Sequence, residues 1–185
     1  EVRHRVVAHE IGPAIELGIA LTDDPADGIR QPPWAAGSNL TAFAVALGGR
    51  RPVWTSRSGR GIGFYRTLDE PEVRDERYYT LFRLRAQQAA EASGFPKRTA
   101  QALVGAMGEI EGNIYEHSGQ HRSGLVAFQG GPGAFAFVVA DAGIGVLASL
   151  RQSPQFQTLD DHGAALRLAL TDGVSRFSYV EQTRG

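Results

Sequence analysis

The segment KRTAQALVGAMGEIEGNIYEH (Lys97–His117), followed by GLVAFQ (124–129), GGPG (130–133), AFAFVVAD (134–141) and AGIGV (142–146), decides how the chain folds. The first stretch has a helical pattern. At about 100° per residue, Leu103, Met107, Ile110 and Ile114 fall within about 60° of one another, which predicts the core face. Glu109, Asn113 and Glu116 lie about 80–140° to one side of that stripe, at its rim. Glu109 and Asn113 are four apart and so sit one turn above each other. Gly105, Gly108 and Gly112 occupy the far side. Each glycine costs about 1 kcal/mol relative to alanine inside a helix, so close packing on that side is the expected compensation.

Two strands come next, at 124–129 and 134–141, joined by the Gly130-Gly131-Pro132-Gly133 turn. Phe135, Phe137 and Val139 alternate with Ala134, Ala136, Val138 and Ala140. One face is large and the other small, as expected for a sheet with a helix layer on one side. The glycine-punctuated segment Asp141-Ala142-Gly143-Ile144-Gly145 leads into a short helix at 146–151. After a polar loop a further helix is expected at 162–170, with Gly173 as its stop. Upstream, 79–92 is rich in helix formers and ends near Gly94 and Pro96.

Residues 1–66 differ in character, with loop signals at Asp23-Asp24-Pro25, Pro32-Pro33 and Gly48-Gly49. The apolar run 41–47 fits a strand or a buried helix. Stretches 52–56 and 62–66 predict a hairpin turning at Ser58-Gly59-Arg60-Gly61. The division expected is an N-terminal region, 1–70, and a second unit, 75–185.

The 185 residues suit one domain or slightly more, and 42% hydrophobic with 21% charged residues is ordinary for a globular protein with a core. A net charge of −1 argues against a nucleic-acid partner. Arg50, Arg51, Arg57, Arg60 and Arg66, with Trp54, Phe64 and Tyr65 between them, could form a stacking surface for nucleic acid; with that charge balance an ordinary exposed hairpin is the better reading. The absence of cysteine excludes disulfides, thiolate metal sites and a cysteine nucleophile. No apolar run approaches the roughly 20 residues of a membrane span, so no membrane partner and a cytoplasmic location are expected. AHEIGPAIE (8–16) has the outline of a histidine phosphoacceptor box around His9. Gly12-Pro13 interrupts it, and an interior proline costs about 3 kcal/mol in a helix, so a structural role is the better reading.

Taken alone, Glu109 and Asn113 read as solvated helix surface, and Gly-x-Gly reads as a turn. Their combination carries more: a helix bearing Glu-x-x-x-Asn, two strands, then Asp-x-Gly-x-Gly opening a helix. GEIEGNIYEHS (108–118) resembles the N box, and VADAGIGVLASL (139–150) the first glycine box, of the GHKL (histidine kinase-like) ATPase superfamily. The motifs resemble most those of anti-sigma serine kinases and histidine-kinase ATP-binding domains.

The resemblance implies an α/β two-layer sandwich, with helices on one face of a mixed β-sheet, preceded by a small α+β N-terminal region. It implies ATP and Mg²⁺ as cofactors and a regulatory role in bacterial signalling, by phosphoryl transfer or ATP hydrolysis. Asn113 would coordinate Mg²⁺, a hard ion suited to oxygen donors. Glu109 matches the general base. Asp141 would accept from the adenine amino group, and Gly143 and Gly145 would admit the nucleotide close to the backbone. His117 stands where some anti-sigma kinases carry histidine; a partly buried structural histidine is the equal alternative. Residues 147–175 would form a lid. From it Arg151 and Arg176 could reach phosphate, or lie at the surface as most arginines do.

A second glycine box is implied after the lid, about where Thr183-Arg184-Gly185 stand, so the unit reads as C-terminally incomplete. This admits an alternative, a catalytically silent interaction module of the same fold. A regulatory protein partner is expected, and a homodimer is admitted.

Overall fold

Helices form where long runs of Ala, Leu, Arg, Gln and Glu meet glycine or proline boundaries, and strands where β-branched and aromatic residues alternate. The computed structural model describes residues 11, 12, 15, 38–49, 51–56, 61–69 and 75–171. The elements are α1 (Ser38–Gly48), β1 (Val53–Thr55), β2 (Ile62–Arg66), α2 (Glu76–Ala92), α3 (Lys97–His117), β3 (Leu125–Gly131), β4 (Ala134–Ala140), α4 (Gly145–Leu150) and α5 (His162–Ala169). Single 3₁₀ turns lie at His121–Ser123 and Pro154–Phe156. His9, Arg50, the 57–60 turn, Arg176 and Thr183-Arg184-Gly185 fall outside the described residues.

The protein is α/β, with a four-stranded sheet in the order β1-β2-β3-β4. Its register runs from Val53 opposite Tyr65, through Phe64 opposite Ala127, to Val126 opposite Val139. The hairpin at 53–66 is thus hydrogen-bonded into the same sheet as β3 and β4. All three strand pairs are antiparallel, where the resemblance implied a mixed sheet. A tight turn at Pro132-Gly133 accounts for β3 with β4; the pairing of β2 with β3 spans α2 and α3.

Both faces of the sheet are covered, not one. Period-2 alternation sends Tyr65, Val126, Phe128, Phe135, Phe137 and Val139 to α2 and α3, where they pack with Tyr79, Phe82, Ala86, Val104 and Met107. The opposite set, Ile62, Phe64, Leu125 and Ala127, packs against Phe43, Ala46 and Leu47 of α1 and against Ile11 and Ile15. Of β4, Val138 and Ala140 pack against this second cluster. The run at 41–47 is therefore the helical alternative, burying Phe43, Ala44, Ala46 and Leu47. Arg66 is buried in the same region and donates from Nη2 to Leu47 O at 2.8 Å, tying β2 to the end of α1.

Asp75 caps α2 by accepting from Arg77 N at 3.0 Å. The Arg77 side-chain hydrogen bonds hold its carboxyl below the usual carboxylate range.

The core face of α3 differs from the predicted stripe. Ala100, Val104, Met107, Glu111 and Ile114 are buried, Leu103 is half-buried, and Ile110 is 44% exposed. The helix has turned so that an acidic residue enters the core. A carboxylate is tolerated there only with hydrogen-bond partners, and Tyr79 Oη donates to Glu111 Oε2 at 2.8 Å.

Close packing at the α3 glycines, expected from the sequence, is not found. Among the described residues, a Cβ at Gly105 or Gly112 would meet no atom within 4 Å, and one at Gly108 would make only ordinary contact with the Arg83 guanidinium, at 3.6 Å. Gly105→Ala and Gly112→Ala are therefore expected to raise the unfolding free energy by about 1 kcal/mol each. Urea unfolding midpoints would show it, and a lowered midpoint would mean that another part of the chain packs there.

Candidate functional site

Helix α3 carries Ile110, Asn113, Ile114 and His117 along one side, because steps of three and four residues return to the same helix surface. Ser118 follows at its C-terminus. The antiparallel run of β4 ends beside this surface, bringing Val139 and Asp141 to it, and the chain then turns into α4 with Gly145, Val146, Ser149 and Leu150. Together with Ala169 of α5, these residues line a cleft of about 310 Å³. That lies at the lower end of the range of about 300–1,000 Å³ for small-molecule sites.

The loop between β4 and α4 is fastened to the end of α3. Asp141 Oδ1 accepts from Gly143 N at 2.8 Å, Ala142 N donates to Ser123 Oγ at 2.9 Å, and Ile144 N donates to Ser118 O at 2.9 Å. Ser118 Oγ donates to Ile114 O at 2.5 Å and accepts from Gln120 N at 3.0 Å. Gly143 presses on this junction so tightly that a Cβ would stand 2.6 Å from Ser118 Cβ. Gly145 has φ +78°, a left-handed conformation suited to glycine, and a Cβ there would have open space.

The walls differ in character. Ile114 and Leu150 are buried apolar floor, while Asn113 and Asp141 are exposed at the opening. His117 is partly buried, with Nε2 at 3.7 Å from Glu116 Oε2. An apolar floor with a few polar groups at its edge suits a partly apolar small molecule.

Of the residues singled out in the sequence, Asn113, His117, Asp141 and Gly145 line the cleft together, and Gly143 stands behind them in the wall. Glu109 is exposed and not part of the lining, since it lies about 40° further from the core face than Asn113. Arg151 is also outside the lining; its Nε donates to Leu159 O at 2.5 Å, within the segment after β4. That segment has a small core of its own, Leu147, Leu150 and Ala165 with Phe156, Leu159 and Leu168 against them.

The other eight lining residues carry no sequence signal for a site, and Ile110 and Ser149 show why. Ile110 was assigned to the core, and its apolar character gave no sign that it would face a ligand space. Ser149 lies in an otherwise apolar helix turn and carries no motif. Among the described residues no group of three or more His, Cys, Asp or Glu side chains is placed to hold a metal, and no helix is long and apolar enough to cross a membrane. No family model, curated protein or solved structure matches this chain.

Proposed function

We propose that this chain is an Mg·ATP-binding regulatory domain of the histidine kinase-like ATPase (GHKL) type, resembling anti-sigma serine kinases and histidine-kinase ATPase domains. The observation that carries it is the meeting of Asn113, His117, Asp141 and Gly145 in one cleft. Asn113 and His117 lie on α3, Asp141 just past the end of β4 and Gly145 at the start of α4, and the resemblance implies a nucleotide role for each. The sandwich assignment belongs to the same proposal, with α2 and α3 as its helical layer.

In this reading Asp141 takes the adenine amino group, and the apolar floor takes the face of the base. Asn113, exposed at the opening, offers one neutral oxygen to Mg²⁺, which keeps waters and phosphate oxygens as its remaining ligands. One such oxygen suits a metal that arrives with the phosphates. The ion would supply charge neutralisation along the polyphosphate. A second reading, a nucleotide-free interaction module of the same fold, draws support from the position of Glu109 outside the lining.

Thermal melting of the full chain with and without Mg·ATP tests the first reading. Ligand at about 100 times its dissociation constant adds about 2.7 kcal/mol to stability, a readily measured rise in Tm. Asp141→Asn is expected to abolish the rise, because the amide NH₂ would face the adenine amino donor. An unchanged Tm for the wild-type chain at millimolar Mg·ATP would remove the nucleotide reading and leave the interaction module.

A further inference from the structure

Ser149 of α4 is 6% exposed and lines the cleft with Val139 and Leu150. A serine within a helix commonly donates to the carbonyl one turn back. Ser93 does so to Ala89 O at 2.7 Å, and Ser118 to Ile114 O at 2.5 Å. Ser149 does not. Its hydroxyl bonds to no described residue, and it is not among the side-chain oxygens sealed from solvent. Ser118 lines the same cleft, but its hydroxyl already serves both as donor to Ile114 O and as acceptor from Gln120 N. Ser149 as a residue is thus nine-tenths buried and lines the cleft, and its hydroxyl has no hydrogen bond to a described residue and keeps contact with solvent.

We infer that Ser149 recognises the bound base, its hydroxyl hydrogen-bonding a ring nitrogen of the purine. The inference rests on the nucleotide reading above. Ser149 sits in the apolar wall with Val139 and Leu150, while the polar Asn113 lies exposed at the opening. Phosphates stay where water and Mg²⁺ can reach them, so the part of the ligand that meets Ser149 is the flat, least hydrated one. A hydroxyl both donates and accepts; toward an unprotonated ring nitrogen it donates. Recognition of the base is then two-pointed: Asp141 accepts from the exocyclic amine and Ser149 donates to the ring. In the unliganded protein water can meet this hydroxyl, and the ligand takes the place of that water.

The test compares wild-type and Ser149→Ala full-length protein in titrations with Mg·ATP. The same titrations use ATP analogues in which each ring nitrogen is replaced in turn by CH. Ser149→Ala is expected to bind Mg·ATP about tenfold more weakly, the value of one well-made hydrogen bond, with the Tm of the unliganded protein unchanged. One analogue should bind the wild type about tenfold more weakly than ATP does, and that penalty should vanish in Ser149→Ala. Equal ATP affinity in the two proteins overturns the role of Ser149 and leaves the nucleotide site standing. A lowered unliganded Tm with every analogue penalty retained overturns it too, because it marks a merely structural residue. Failure of the wild type to bind any nucleotide removes the site reading and this inference with it.

Discussion

Phe82→Ala is expected to lower the unfolding free energy by about 3–5 kcal/mol, the range for deleting a buried aromatic side chain. Phe82 is 0% exposed and joins two strands to α2, with its ring centroid 5.8 Å from Tyr65 and 5.4 Å from Phe128. Alanine would leave a void between β2, β3 and the helix, and the flanking rings cannot collapse into it without abandoning each other's edges. Domains are stable by only about 5–15 kcal/mol, so this one truncation removes a large share. Urea unfolding followed by far-UV circular dichroism checks it. Leu84→Ala serves as the control: Leu84 lies two positions away on the same helix but is 48% exposed, and its loss should stay within about 0.5 kcal/mol. Comparable losses for the two variants would contradict the packing described for α2.

The position of Phe82 follows from spacing, since Tyr79, Phe82, Ala86 and Ala89 recur at helical intervals and are all buried. The limits of α3 and of β2 coincide with their sequence assignments because Pro96 and the Ser118-Gly119 pair bound the one, and alternation with flanking glycine bounds the other. The rotation of α3 is another matter. An apolar stripe of Leu103, Met107, Ile110 and Ile114 is what hydrophobicity alone selects. Glu111 enters the core because Tyr79, 32 residues earlier, supplies a hydroxyl to its carboxylate, and no local pattern announces a partner so far along the chain. The covered second face of the sheet escaped for a similar reason. The large and small alternation of β4 gives no sign of that layer, whose helix packs on β1 and β2 and whose cluster meets β4 only at Val138 and Ala140.

The same distinction divides the candidate site. Asn113, His117, Asp141 and Gly145 were legible because motif order along the chain reflects element order in space: helix, hairpin, glycine loop. Glu109, in the first of those motifs, and Arg151, expected only as a lid or surface arginine, stand outside the cleft lining. A spacing of four fixes that Glu109 and Asn113 are neighbours on α3; it does not fix which of them the opposite wall reaches. Arg151 is already engaged with Leu159 O. Ile110 and Ser149 gain their place only from the facing walls of the cleft, since by sequence one looks like core and the other like an ordinary helix residue.

Gly143→Ala should both destabilise the fold and remove nucleotide recognition, the larger combined effect of any single-methyl addition in this loop. A Cβ at this position would meet Ser118 O closer than any real contact, with Asp141 Oδ1 and Ser118 Cβ each at 2.6 Å. The nearest obstacle is backbone at the end of α3, which cannot swing aside as the tip of a side chain could. The loop itself must therefore retreat. Retreat breaks the Ile144 N to Ser118 O bond and displaces the Asp141 carboxylate that accepts from Gly143 N. Overpacking of this kind costs about 1–3 kcal/mol, which a urea titration reads. Titration with Mg·ATP well below the melting temperature separates the second effect, because a protein still fully folded there should show no binding. Gly145→Ala provides the contrast. Its φ of +78° makes alanine strained by about 1–2 kcal/mol, but the added methyl meets nothing within 4 Å, so Asp141 stays in place and binding should persist. Wild-type stability and binding in Gly143→Ala would show that the loop is not wedged against α3, and the cleft would then lose the feature that holds Asp141 opposite Asn113.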